Sequence, residues 1–184
     1  MGTWLAIAGI GVATDNLSVA CAAGGLVGLH AMRKWLLATG LVLVIQIQSL
    51  ILGWLVGRIM DGWFGSVAHW MAIGFILSMG LRILFEATSS GRIPRHLVLT
   101  SRSILDASLG TAIYTFIYGQ SANMLHATLP GSVELVSIAT AFCIVTGPIL
   151  VERYRIVWLV QLAGGLIICS SAVFLFMREL GSAV

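Results

Sequence analysis

Charged residues are scarce in this 184-residue chain, where Asp, Glu, Lys and Arg together make up only 9%. Soluble domains carry roughly a quarter charged residues, so the composition excludes an ordinary soluble domain. The scarcity of Lys and Glu excludes a long coiled coil, and a hydrophobic content of 59% excludes intrinsic disorder. These exclusions leave an integral membrane protein.

Cysteine is also rare, with three residues in the chain. Cys21, Cys143 and Cys169 lie within apolar stretches, without a CxxC pair or a neighbouring His, so neither a disulfide framework nor a zinc site is expected. A basic region before the first apolar stretch is lacking too, and that stretch is longer than the core of a signal peptide. We therefore expect it to be retained as the first membrane span.

Apolar sequence is abundant, and the mean hydropathy is +1.02. Crossing about 30 Å of hydrocarbon takes about 20 apolar residues. Six runs are long enough, at about residues 3–28, 35–57, 67–88, 97–118, 132–151 and 156–177. An Asp61-Gly62 turn signal marks the second break between them, and the fourth break runs from Gln120 to Pro130-Gly131. The sequence predicts an all-α integral membrane protein, one polytopic domain of residues 1–184 with six transmembrane helices.

Basic residues predict the orientation of these spans. Six of the ten lie in breaks one, three and five: Arg33, Lys34, Arg92, Arg95, Arg153 and Arg155. Breaks two and four hold only Arg58. By the positive-inside rule the first group lies in the cytoplasm, so we expect a cell (inner) membrane protein with both termini outside. The same scattering between apolar segments argues against a nucleic-acid partner.

Two acidic residues are predicted near the centre of the membrane. Asp15 lies about twelve residues into the first span and Asp106 about ten into the fourth. Placing a charge at this depth costs at least about 2.5–3.5 kcal/mol on insertion scales, so each of the two carboxylates is expected to have a functional or structural role. Their surroundings match, because residues 13–18 read Ala-Thr-Asp-Asn-Leu-Ser and residues 103–108 read Ser-Ile-Leu-Asp-Ala-Ser.

These matching segments each open a group of three spans, which indicates a duplicated three-helix unit, about residues 3–88 and 97–177. Because three is odd, the copies would lie in opposite orientations, as in the inverted repeats of many transporters. Two carboxylates with nearby hydroxyl and amide oxygens suit a hard divalent cation such as Mn²⁺ or Mg²⁺. The candidate ligands are Asp15, Asp106, Asn16, Ser18, Gln46 and Ser103. The alternative is that each buried Asp is protonated and joins helices by a hydrogen bond.

Several polar residues near span ends have two interpretations. Arg102, four residues before Asp106, either forms an ion pair with it or snorkels to the interface, and we favour snorkelling. Arg82 and Glu86 form another i,i+4 pair, which we interpret as structural, with a gate or vestibule as the alternative. His69 is expected to be interfacial rather than a ligand.

The order of these motifs resembles the MntP-type manganese efflux pumps, a six-span family within the lysine-exporter superfamily. Residues 14–20, Thr-Asp-Asn-Leu-Ser-Val-Ala, resemble the family's first-span Met-Asp-Ala-Phe-Ala-Val-Ser motif, and Leu105-Asp106-Ala107 resembles its fourth-span Asp-Ala motif. Further similarities are Gln46 before Gly53-Trp54, His69-Trp70 with Gly80 and Glu86, and the pair Gly164-Gly165. The sequence departs from the family's pattern at Arg102, Ile104, Leu50 and Gln161, where Gln161 replaces an acidic residue.

The resemblance implies a transporter rather than an enzyme, exporting a divalent cation, Mn²⁺ in the first place, with no resident cofactor. Alternating access is expected, with proton antiport, since a proton and a cation compete for the same carboxylate oxygens. Its partners would be membrane lipid, the cation and protons. The residues leave other functions open: export of another cation or small solute of that superfamily, a thiol-redox carrier that needs a reactive Cys pair, or a membrane scaffold that transports nothing.

Overall fold

A computed structural model describes residues 2–24, 32–89, 101–150 and 154–183, with side chains at 3–17, 40–88, 108–146 and 158–181. The described residues form six helices: α1 (Gly2–Gly24), α2 (Met32–Phe64), α3 (Ser66–Ser89), α4 (Ser101–Met124), α5 (Leu129–Leu150) and α6 (Tyr154–Ala183). The all-helical prediction is confirmed. The expected end of the first span after Gly24 and the expected start of the fourth before Ser101 lie outside the described residues.

Four segments of the described helices are long and apolar enough to cross a membrane: Gly40–Phe64, Ser66–Thr88, Leu129–Thr146 and Trp158–Gly181. Large apolar side chains also cover the outside of the bundle, where Phe85 and Ile138 are each 70% exposed and Phe142 is 68% exposed. Water would disfavour such a continuous apolar surface, whereas the hydrocarbon of a bilayer accommodates it. The surface of the fold therefore fits a membrane protein.

The predicted break between the second and third spans is wrong in position. α2 continues through Asp61-Gly62 to Phe64, and the turn consists of Gly65 alone, whose φ of +50° suits glycine. The Gly65 amide donates to the Asp61 carbonyl at 2.9 Å, and the Ala68 amide donates to the Gly65 carbonyl at 3.0 Å. The Asp-Gly pair is a turn signal only where the chain leaves the helix, and here the chain leaves it at the next glycine.

The predicted break between the fourth and fifth spans is too long. α4 continues to Met124, because the polar residues that suggested a loop are buried against α2: Gln120 is 7% exposed and its Nε2 donates to Met60 Sδ. α5 begins at Leu129, so Pro130 lies in its first turn, where a missing N–H breaks no helical hydrogen bond. Tertiary contact has turned an apparent loop into helix.

The end of α4 is a Schellman motif. The Ala127 amide donates to the Ala122 carbonyl and the His126 amide to the Asn123 carbonyl, both at 2.8 Å. His126 occupies the left-handed position of this motif, with φ of +57°. The turn between α4 and α5 is therefore tightly defined by backbone bonds.

Glycines set the closest approaches between helices. α1 packs on α5 and α6, α4 packs on α2 and α3, and α3 also packs on α6. A Cβ on Gly53 would overlap the carbonyl oxygen of Phe116, and one on Gly119 would overlap that of Leu50. α2 and α4 thus touch backbone to backbone, as small residues allow between membrane helices. This contact brings polar side chains of the two helices within hydrogen-bonding distance.

Candidate functional site

Asp15 is buried within the bundle, with 7% of its surface exposed. The side chain of Gln161 on α6 faces it, and Gln161 Nε2 donates to Asp15 Oδ1 at 3.5 Å. This is a long hydrogen bond. α6 can approach α1 here because position 164 is glycine: a Cβ on Gly164 would overlap Oγ1 of Thr14. An amide donor on α6 thus accompanies the one described carboxylate buried in α1.

Asn16 and Gln46 lie in a hydrogen-bond network that joins four helices. Gln46 Nε2 donates to Asn16 Oδ1 at 3.0 Å and to Thr111 Oγ1 at 2.8 Å. Thr115 Oγ1 donates to Gln46 Oε1, and Asn16 Nδ2 donates to Thr140 Oγ1 at 3.2 Å. Both amides are 1% exposed. A buried network with its groups satisfied holds helices in register.

The structure therefore brings together two of the candidate cation ligands, Asn16 and Gln46. Each carbonyl oxygen already accepts one hydrogen bond and retains one further lone pair. The hydroxyl partners were not anticipated from the sequence. The spacing of Thr111 and Thr115 did carry a signal, because residues four apart share one face of a helix. Nothing in the sequence paired Thr140 of α5 with Asn16.

Arg82 and Glu86 form the predicted ion pair, with Arg82 Nε 3.0 Å from Glu86 Oε1. Tyr114 Oη donates to the same Glu86 oxygen at 2.8 Å, and the Arg82 guanidinium lies 5.7 Å from the centre of the Tyr114 ring. The side chains of Arg82 and Glu86 are 65% and 45% exposed, so the pair itself adds little to stability. Both charges act electrostatically on buried Asp15. The sequence did not single out Tyr114, which links α3 to α4.

The remaining candidate ligands lie outside the described side chains. Asp106, Ser103 and Arg102 lie in α4, and Ser18 lies in α1, at positions where the structure describes the helix only. Their roles stay predictions. Among the side chains that are described, three or more His, Cys, Asp or Glu residues do not come together in one group.

A cavity of about 330 Å³ opens at the end of the bundle that carries the α4–α5 turn. Its polar lining includes Tyr118, His126 and Ser132. The Tyr118 hydroxyl donates to the Leu5 carbonyl at 3.1 Å, and its ring fills the space beside Gly9, where a Cβ would come within 2.7 Å of the hydroxyl. Tyr118 is only 1% exposed, so it forms a buried wall between this cavity and the interior.

A family described as "Putative manganese efflux pump" (Mntp) matches residues 29–176, most of the chain. The chain belongs to this family. The resemblance inferred from the motifs is thereby confirmed. The matched residues include the candidate-site residues of α2 to α6, whereas α1, with Asp15 and Asn16, lies entirely before the match begins.

Individual members of the efflux-pump family align along nearly the full length. Proteins named "Putative manganese efflux pump MntP" from Geobacter sp. (strain M21) and Citrifermentans bemidjiense are each 28% identical, over 176 and 177 residues. The alignments cover 90% of this chain in both cases, and 91% and 92% of the two relatives. A protein of the same name from Saccharophagus degradans is 28% identical over 128 residues, covering 68% of this chain and 70% of that protein. No solved structure matches the chain.

Proposed function

We propose that the protein exports a divalent metal cation, with Mn²⁺ as the favoured cargo, across the cell (inner) membrane. Relatives that align over about nine tenths of the chain are named as manganese efflux pumps, and the outside of the bundle is apolar. The observation that carries the proposal is Asp15, a carboxylate buried among helices whose outer faces are apolar. Inserting such a carboxylate into the membrane costs free energy, and ionisable residues at this depth typically mark a substrate or proton pathway.

The helix contacts support an architecture of six spans in two inverted repeats, about residues 3–88 and 97–177. α1 packs on α5 and α6, and its counterpart α4 packs on α2 and α3. If α1, α2 and α3 are exchanged with α4, α5 and α6 in that order, the contacts of α1 with α5 and α6 become the contacts of α4 with α2 and α3. The contact between α3 and α6 is converted into itself. This is the pattern expected of two inverted three-helix units.

In this proposal Asp15 and Asp106 bind the cation between the repeats, with hydroxyl oxygens from Ser18 and Ser103. Carboxylate and hydroxyl oxygens are the ligands that Mn²⁺ prefers. Asn16 and Gln46 contribute through the remaining lone pair of each carbonyl oxygen, while the hydrogen bond between them fixes the position of α1 against α2. Arg102 snorkels to the interface and leaves Asp106 to the ion.

Glu86 and Arg82 shape the approach to this site. Their opposite charges act on Asp15, so an arriving cation is attracted by one and repelled by the other. The Tyr114 hydroxyl holds Glu86 in place while Arg82 neutralises it. Rocking of the repeats then exposes the ion to the opposite side, and protons return through the same carboxylates because ion and proton compete for their oxygens. Both termini lie outside in this arrangement.

Metal accumulation in cells tests the proposal. Cells that depend on this protein are loaded with Mn²⁺, and efflux is followed for Asp15→Asn, Asp106→Asn and a control, Glu134→Gln, which removes an exposed carboxylate on α5. We expect both Asp variants to lose efflux at unchanged membrane abundance and the control to retain it. Efflux that is unchanged in both Asp variants would remove this site from the mechanism.

A further inference from the structure

We propose that His69 and His126 form a second metal site, which binds a divalent transition-metal ion that imidazole prefers, such as Zn²⁺ or Co²⁺. His69 lies in the first turn of α3, and His126 lies in the turn between α4 and α5. The site belongs to the end of the bundle that carries these turns. It is separate from the carboxylate site, whose hard oxygen ligands favour Mn²⁺ or Mg²⁺.

The spacing of the two rings fits a shared ion. Their centres lie 5.0 Å apart, and their planes make an angle of 67°. Two imidazoles bound to one tetrahedral ion through metal–nitrogen bonds of about 2.0–2.1 Å have ring centres about 5 Å apart. The two ring centres are therefore already at the separation that two ligands of one ion require. Edge-to-face ring contact gives similar distances, so the experiment must separate the two explanations.

The ring nitrogens are also available for coordination. Within the described part of the chain, neither imidazole takes part in a hydrogen bond or an ion pair. His126 is exposed and His69 is partly exposed, so an ion from solution reaches both. Both rings are thus accessible to an ion, and a metal titration decides between coordination and simple contact between the rings.

The backbone at His126 fixes the position of one of the two rings. Its φ of +57° is the left-handed conformation that glycine or asparagine usually supplies at the end of a helix. Two backbone hydrogen bonds of 2.8 Å hold the turn, so the imidazole is presented from a fixed position. His126 is also exposed, so water can reach its ring to complete the coordination shell.

An ion bound here would link the start of α3 to the α4–α5 turn.

The test uses the purified full-length chain in detergent, both unchanged and carrying Asp15→Asn, which removes the proposed central site. Co²⁺ is titrated in, and its visible absorption reports tetrahedral coordination. We expect one equivalent of Co²⁺ with the tetrahedral spectrum per chain in both proteins, displaced by Zn²⁺ but not by excess Mg²⁺. Saturation with Zn²⁺ should also raise the unfolding temperature.

Two variants in the Asp15→Asn background decide the assignment. His69→Gln and His126→Asn should each bind Co²⁺ at least about tenfold more weakly, because each removes one of two protein ligands. Asparagine is chosen at position 126 because it tolerates a positive φ. The matched control is His96→Gln, which changes a histidine between α3 and α4 in the sequence and should bind as its parent does.

Co²⁺ binding that is unchanged in folded His69→Gln overturns the proposal, whether or not the His126 variant folds. So does loss of the signal in His96→Gln alone, or the absence of any tetrahedral spectrum in the parent protein. None of these outcomes bears on export through Asp15, because the site is measured with that carboxylate removed. Conversely, a protein that fails to export Mn²⁺ can still bind Co²⁺ at the two histidines.

Discussion

Gln46 on α2 and Asp15 on α1 are both buried polar residues, but their side chains are held differently. The Gln46 amide makes hydrogen bonds of 3.0 and 2.8 Å to Asn16 and Thr111 and accepts another from Thr115. Asp15 has a hydrogen bond of 3.5 Å to Gln161 and lies in the field of an exposed ion pair. This difference indicates that the amide network holds the helices in place, whereas the Asp15 carboxylate exchanges its partners.

Removing the network should give the largest effect on stability. Gln46→Leu leaves three buried partners on two helices, α1 and α4, without their hydrogen bonds to Gln46, so we expect the free energy of unfolding to fall by about 2–4 kcal/mol. Gln48→Leu is the matched control, because Gln48 is exposed on the same helix. Unfolding of both variants in mixed micelles measures the difference. Equal stability of the two variants would mean that the network does not act as the scaffold.

The close contact between α2 and α4 offers a second way to disturb the scaffold. Gly53→Ala places a methyl group against the carbonyl oxygen of Phe116, so the helices must separate. We expect a loss of about 1–3 kcal/mol, as for other overpacked sites. Gly74→Ala on α3 is the control, since its Cβ would meet nothing within 4 Å. Unchanged unfolding of Gly53→Ala would contradict the packing described between these helices.

The Arg82–Glu86 pair should affect Mn²⁺ binding more than the stability of the fold. Glu86→Gln removes a negative charge that acts on Asp15, and Arg82→Gln removes a positive one. The Mn²⁺ concentration for half-maximal transport should therefore rise about two- to threefold in the first and fall by a similar factor in the second. Initial rates of Mn²⁺ uptake into inside-out vesicles measure both. Shifts in the same direction would make the pair purely structural.

Long apolar runs made the helices predictable, because a span must satisfy its backbone hydrogen bonds internally. The ends of the helices were harder to predict from the sequence. The segment after Gly119 looked like a loop because its side chains are polar, yet Gln120 is buried against Met60. That burial depends on α2, which a local pattern does not include.

The candidate cation site, like the fold, was predictable only in part. Asp15 stood out because a carboxylate in an apolar run is rare. Its neighbours depend on how helices pack: Thr140 reaches Asn16, and Tyr114 reaches Glu86, across gaps of 124 and 28 residues. Hydroxyl groups are common in membrane helices, so their partners become visible only in three dimensions. The Arg82–Glu86 pair was predictable because both residues belong to one helix turn.

Direct measurement of Mn²⁺ binding tests the central claim. Free Mn²⁺ gives a sharp paramagnetic resonance signal that is lost on binding, so titration of the purified chain counts bound ions. We predict one tightly bound Mn²⁺ per chain, absent in Asp15→Asn and in Asp106→Asn and retained in Glu134→Gln. A folded Asp15→Asn protein that binds Mn²⁺ as the unchanged chain does would contradict the account.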